Sequence, residues 1–304
     1  MQIPYGGRRF SDKIKELEFV WSICLQGEVD PRMMMVESAG LTDIGRRRTS
    51  NEDAVFCDDG LRLFVVADGM GGHQAGEVAS RLVVETIRDA MREYIGVDSH
   101  RALEGYDRNL SLNANKVCSS ILRANRVVNQ LSAQEGAYRR MGSTVSAAFF
   151  TDETLVAANV GDSPIWLVHD GSMELLSVPH TLVAEQAKLN PGRDDNLAPG
   201  FRNLLTRAVG IESSVRADVC ELPCFEGDTL IMASDGLSNK VTADEILDLV
   251  SRKRPEEACH CLVNLANERG GDDNITVVVA RVMAVPSQHH SFLTRLQRWL
   301  GRKQ

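Results

Sequence analysis

The chain has 304 residues, of which 43% are hydrophobic and 25% charged, the balance of an ordinary soluble globular protein able to bury a sizeable core. A formal net charge of −8, from 34 basic and 42 acidic side chains, argues against a general nucleic-acid binder. No stretch approaches the ~18 uninterrupted apolar residues of a membrane span, and seven scattered cysteines without a secretory signal suit reduced thiols, so a cytoplasmic protein is expected.

Residues 1–35 show no persistent periodicity and end in Met33-Met34-Met35. They read as an N-terminal extension, or as upstream sequence included by a start placed too early. From Val36 the pattern changes to short β-rich runs and longer helical ones, with no Pro/Gly/Ser-rich linker until after Val285, so 36–285 is expected to form one catalytic domain. Strands are expected at Val36–Thr42, Ala54–Cys57, Leu61–Ala67, Thr144–Phe150, Leu155–Asn159, Ile165–His169, Val215–Leu222, Asp228–Ala233 and Ile275–Val282. Apolar stripes at helical spacing run from Gly76 to Tyr94 and from Ala114 to Leu131.

Thr242 followed by Ala-Asp-Glu245 predicts a capping box, and Pro255 opens a last helix that Gly270 ends. Strands group with strands and helices with helices, which excludes regular βαβ alternation and predicts an α+β sandwich of two sheets with helices outside. The segment 286–304 is a basic amphipathic tail carrying Arg295, Arg298, Arg302 and Lys303. A short helix docked on its own domain is expected there, in preference to contact with an acidic partner or membrane surface.

Four apolar runs end in acidic turns: Ala67-Asp68-Gly69, Asn159-Val-Gly161-Asp162, Ser234-Asp235-Gly236 and, leading into the last strand, Gly271-Asp272-Asp273-Asn274. A single Asp-Gly at a strand end is ordinarily a turn. Several convergent aspartates repel one another unless cations neutralise them, so a metal cluster is their simplest joint explanation. Carboxylate oxygens suit Mg²⁺ or Mn²⁺, whereas Cys220-x₃-Cys224 and Cys259-x-Cys261 lack the usual zinc spacing. Arg48, ahead of Asn51-Glu52-Asp53, adds a planar guanidinium able to hold phosphate oxygens in two-point fashion.

With Gly45-Arg-Arg-Arg48-Thr-Ser-Asn51-Glu52-Asp53, Val66-Ala-Asp68-Gly-Met-Gly-Gly-His73, Gly142-Ser-Thr144, Val160-Gly-Asp162-Ser163, Thr206-Arg-Ala-Val-Gly210, Ala233-Ser-Asp235-Gly236 and Gly271-Asp-Asp273-Asn274 in this order, the chain closely resembles the metal-dependent type 2C protein Ser/Thr phosphatases in their bacterial form. The resemblance runs from Val36 to Val282. It implies a four-layer α-β-β-α sandwich of two mainly antiparallel sheets, with two Mn²⁺ or Mg²⁺ ions and a weaker third at one end. Asp68 would bridge both core metals. The Gly69 carbonyl and Glu52, through water, would serve one of them, and Asp235 and Asp273 the other. Asp162 would help Asp235 hold the third, Arg48 would clamp phosphate, and Asp53 and Asn274 would orient the ligands.

The implied reaction is hydrolysis of phosphoserine or phosphothreonine by direct attack of a metal-bound hydroxide, without a covalent phosphoenzyme. Phosphoprotein substrates, an opposing Ser/Thr kinase and a monomeric state are expected. A phosphatase of small phosphorylated molecules and a non-catalytic sensor on the same fold are the alternatives. Met70 stands where eukaryotic members place a histidine suited to protonating the leaving group; His73 is a candidate substitute, acting through water, and otherwise a structural hydrogen-bonder. Pro164 and Pro179 replace the arginine and aspartate common at those positions, and they border a variable flap at 180–202.

Overall fold

The computed structural model describes residues 34–71, 74–96, 99, 103–189 and 204–286. Eleven strands and six α-helices are formed among them. In chain order these are β1 (Met35–Asp43), β2 (Asp53–Asp58), β3 (Leu63–Met70), α1 (Ala75–Tyr94), α2 (Leu112–Gln134), β4 (Gly142–Ser143), β5 (Val145–Phe150), β6 (Thr154–Val160), β7 (Ile165–His169), β8 (Ser172–Leu175), α3 (Leu182–Leu189), β9 (Asp218–Pro223), β10 (Thr229–Ala233), α4 (Asp235–Ser238), α5 (Ala243–Arg252), α6 (Pro255–Glu268) and β11 (Ile275–Ala284).

The strands form two antiparallel sheets, ordered β1-β11-β10-β7-β8 and β2-β3-β5-β6-β9, with β4 paired to β3 beside the second. The central strands are apolar throughout because both of their faces are covered. On β3, Leu63, Val65 and Ala67 pack into the layer of α1 and α2, while Phe64 and Val66 face the other sheet. On β11, Ile275, Val277 and Val279 meet α5 and α6, while Val278, Ala280 and Val282 enter the space between the sheets. Period-two alternation thus sorts one continuous apolar run into two cores. The result is the four-layer α-β-β-α order expected from the sequence.

Helix starts follow local chemistry. Thr242 and Glu245 make the reciprocal capping box of α5, and the Ser111 hydroxyl accepts from Ala114 N–H at the start of α2. Differences from the expected elements are few. Strand β8 was not anticipated, although Asp170 (φ 46°) and Gly171 (φ 75°) form the kind of two-residue Asp-Gly turn that signals a hairpin. Val215 to Ala217 lie before β9 instead of inside it, and α3 occupies part of the region read as a flap. The expectations for 1–33, His73 and 287–304 fall outside the described residues.

Phe64 and Phe150 meet edge to face between the sheets, with ring centroids 5.9 Å apart and planes at 81°. Phe150→Ala is expected to cost about 3–5 kcal/mol by denaturant titration, with secondary structure retained, because the cavity lies where two sheets cannot both collapse.

Candidate active site

The antiparallel pairing brings six chain segments to one end of the sandwich. Asp53, the first residue of β2, is the register partner of Asp68 near the end of β3. Strand β6 ends one residue before Gly161-Asp162, beside the start of β5. In the other sheet β10 runs through Ser234 into Asp235, and Asp273-Asn274 precede β11. Asp68 and Gly69 sit within the strand, not on a turn after it, and Asp235 is the first residue of the one-turn helix α4. The acidic residues singled out in the sequence, Glu52, Asp53, Asp68, Asp162, Asp235 and Asp273, therefore share one end of the molecule.

Backbone contact at Gly69 is close enough to decide its identity. A Cβ there would lie 2.0 Å from the Gly76 carbonyl oxygen and 2.7 Å from that of Glu52, and a Cβ on Gly76 would lie 2.2 Å from Glu52 Oε2. The pair of glycines lets the start of α1 close over Glu52, whose carbonyl accepts from Gly69 N–H at 3.0 Å.

The carboxylates perturb one another strongly. Asp68 is held well above the ordinary carboxylate range, first by burial and then by the charges of Asp53, Asp235, Asp273 and Asp162. Asp53 is pushed up to about 7 by burial, against the opposing hydrogen bonds from Thr276 and Ser234. Asp162 is pushed up to about 6, by burial and then by Asp235. Asp235 is also raised, by burial and then Asp273.

Two of the acids have side-chain partners that donate to them: Asp273 accepts from the Arg48 guanidinium at 2.7 Å, and Asp235 from the Asn239 amide at 3.2 Å. Among the described residues no three His, Cys, Asp or Glu side chains close around a single point.

Supporting residues are explicit. Both Asn274 amide protons are engaged, with the carbonyls of Ile44 and Ser50, and its Oδ1 accepts from Glu52 N–H at 2.8 Å. This one side chain thus ties the Arg48 loop to the entrance of β11. Asp53 Oδ2 accepts from the hydroxyls of Ser234 and Thr276, each at 2.7 Å, while its buried Oδ1 has no hydrogen-bond partner among the described residues. Asp272, beside Asp273, is instead an exposed partner of Lys240 and Arg47.

Two groups of residues near the site carried no assigned role in the sequence reading. Thr144 Oγ1 accepts from Asp68 N–H at 3.0 Å and contacts Ser163 Oγ at 2.7 Å, and Ser143 Oγ donates to the Asp68 carbonyl. The second group is His180, Arg207 and Asp218, described below. Met70 lines a cavity of about 800 Å³ whose wall is the segment from Leu204 to Arg216. Met70 follows Asp68 and Gly69 on the same strand.

A two-sheet sandwich with a carboxylate-lined end and an adjoining arginine defines the class of metal-dependent phosphohydrolases to which comparison with known proteins leads. The family profile described as protein phosphatase 2C matches residues 44–267. The chain belongs to that family. It is similar to the serine/threonine phosphatase stp of Listeria welshimeri, 35% identical over 243 residues, which span 78% of this chain and 92% of the relative.

Among solved structures it is similar to the serine/threonine phosphatase PstP/Ppp of Mycobacterium tuberculosis (TM-score 0.70, 30% identity, covering 82% of this chain and 99% of that one). It is also similar to the PstP catalytic domain in complex with two manganese ions (TM-score 0.69, 30% identity, covering 83% and 100%).

The raised carboxylates give stability a pH dependence of definite sign. Between the ordinary value of 3.8 and about 7 for Asp53, or about 6 for Asp162, the folded chain binds more protons than the unfolded one. Stability conferred in this way is present at low pH and falls as pH rises through that window. In chelator, urea titrations are expected to give a higher unfolding free energy near pH 5.5 than near pH 8; the opposite order would mean that other groups dominate.

Proposed function

We propose that this chain is a metal-dependent protein phosphatase acting on phosphoserine and phosphothreonine, with its catalytic centre at the carboxylate-lined end of the sandwich. The observation that carries the reading is the arrival of Glu52, Asp68, Asp162, Asp235 and Asp273 at one end from different strands, with Arg48 beside them. An all-oxygen donor set suits a hard divalent cation. The mutual repulsion within the set, together with the unpartnered buried oxygen of Asp53, fits positive charge between them. Mn²⁺ is the ion favoured, by similarity to the manganese-bound PstP catalytic domain.

In this reading Asp68 would serve both core ions. The Gly69 carbonyl and Glu52, through water, would serve one of them, and Asp235 and Asp273 the other. Asp162, with Asp235, would hold a weaker third. When bound, the metal pair supplies a nucleophile from water and neutralises charge on the phosphoryl oxygens.

The chain's own residues do the rest. Arg48 presents its guanidinium at the entrance and grips the phosphoryl group. Asn274 and Asp53 hold the Glu52 and Asp235 segments in register through the hydrogen bonds described above, and Thr144 fixes the peptide of Asp68. Every one of these groups comes from a single chain, so a monomer suffices. Phosphoserine and phosphothreonine arise from kinases specific for hydroxyl amino acids, and such a kinase is the expected counterpart. The buried thiols of Cys224 and Cys259, raised by burial, suit a reducing cytoplasm.

Asp68→Asn removes one charge from a site where that charge is costly. It is expected to abolish hydrolysis of a phosphothreonine peptide in Mn²⁺ while leaving the chelated protein at least as thermostable as wild type. Turnover near wild type in that variant would falsify the two-metal assignment.

Arg48→Ala is expected to raise KM by about tenfold or more, the scale of one charge-assisted hydrogen bond, with a smaller effect on kcat. Lys at this position should restore only part of the loss, since it lacks the planar fork. An unaltered kcat/KM would move the phosphate clamp to another residue.

A further inference from the structure

His180 is 2% exposed and uses every polar group it has near Asp162. Its backbone N–H donates to the Gly161 carbonyl at 3.0 Å, and its ring Nδ1 accepts from Gly161 N–H at 2.9 Å. The histidine therefore clasps both polar atoms of the residue preceding Asp162. A peptide N–H can only donate, so Nδ1 is the bare nitrogen and Nε2 carries the proton, which it donates to Asp218 Oδ2 at 2.7 Å. Burial lowers the histidine's pKa, in keeping with this neutral form.

Gly161 is closely packed on the side of Thr144. Its φ is +103°, and a Cβ would lie 2.7 Å from Thr144 Cβ, so the turn is pressed against the residue that holds the Asp68 peptide. On its other side His180 joins the cavity wall. Its carbonyl accepts from Thr206 N–H at 2.9 Å, and Arg207 Nη1 donates to the Arg216 carbonyl at 2.9 Å and to Asp218 Oδ2 at 3.3 Å, 3.1 Å from the histidine Nε2. One buried ring thus stands between Asp162 and the wall from Leu204 to Arg216.

We propose that His180 is a positioning residue that sets the Gly161-Asp162 turn for cation binding through its contacts with both polar atoms of Gly161. The proposal rests on the reading above that Asp162 holds the weaker cation. Two isosteric changes divide the ring's work. His180→Asn keeps an acceptor where Nδ1 meets Gly161 but cannot reach Asp218, whereas His180→Gln reaches Asp218 and leaves Gly161 N–H without an acceptor.

The test is calorimetric Mn²⁺ titration of the full chain as wild type, D162A, H180N and H180Q, with melting temperatures measured in chelator and kcat and KM for a phosphothreonine peptide. The expected pattern is loss of a weak Mn²⁺ site in D162A, weakening of that site by about tenfold or more in H180Q, the range seen when a residue orienting a metal ligand is removed, and retention within about threefold in H180N. The tight sites and KM should be unaltered in both histidine variants, and kcat at limiting Mn²⁺ should fall in H180Q. A weak site lost in D162A but equal in H180N and H180Q, or one that merely follows their melting temperatures, overturns the proposal alone. A weak site intact in D162A overturns the cation assignment and the proposal with it.

Discussion

Repulsion among carboxylates gathered in a poorly solvated place is the constraint on which the rest of this structure depends. Asp53, Asp68, Asp162, Asp235 and Asp273 each gain from being apart, and a chain free to move would separate them. They stay together because each is attached to a strand or helix end that the cores hold rigidly. The two sheets are locked to each other by the inter-sheet cluster around Phe64, Phe150, Leu230 and Val278, and each is backed by its own helical layer. Burial of apolar surface thus opposes electrostatic cost at the carboxylate end, and polar side chains such as Asn274 and Thr144 convert that opposition into fixed geometry.

The division of labour between the sheets follows from this constraint. Sheet β2-β3-β5-β6-β9 carries Asp53 and Asp68 and leads to Asp162; sheet β1-β11-β10-β7-β8 leads to Asp235 and Asp273. The acidic set is completed only when the sheets face each other. Hydrogen bonds from Ser234 and Thr276 of one sheet to Asp53 of the other cross that interface at the carboxylate end. The site is therefore a property of the interface between layers and of neither layer alone, which is where a cation can draw oxygens from both.

Much of this was legible in the sequence, and for physical reasons. Apolar runs ending in aspartate located β3 and β10 and their acidic residues, because a strand buried on both faces has no polar positions to blur its limits. The capping box of Thr242 and Glu245 located α5 for a similarly local reason. What could not be read was tertiary. Nothing adjacent to His180 in the chain indicates that its ring meets Gly161 and Asp218, residues 19 and 38 positions away. Thr144 appeared within a recognisable motif, yet its task of holding the Asp68 peptide depends on how β3 and β5 align. Strand β8 has mixed burial and an exposed leucine, so its pattern lacks the alternation that marks a half-buried strand.

The pairing of β1 with β11 joins residues as distant as Met35 and Ala284, since each lies along the other for the full length of both. During synthesis β1 emerges early, and its backbone donors stay without a sheet partner while all the intervening elements are made. Sheet β2-β3-β5-β6-β9 can assemble meanwhile, but the other must wait for its last strand. Loop closure over so long a span is entropically slow, which makes the docking of β11 between β1 and β10 the step expected to gate folding. Until it occurs, an apolar edge remains open to pairing with another nascent copy.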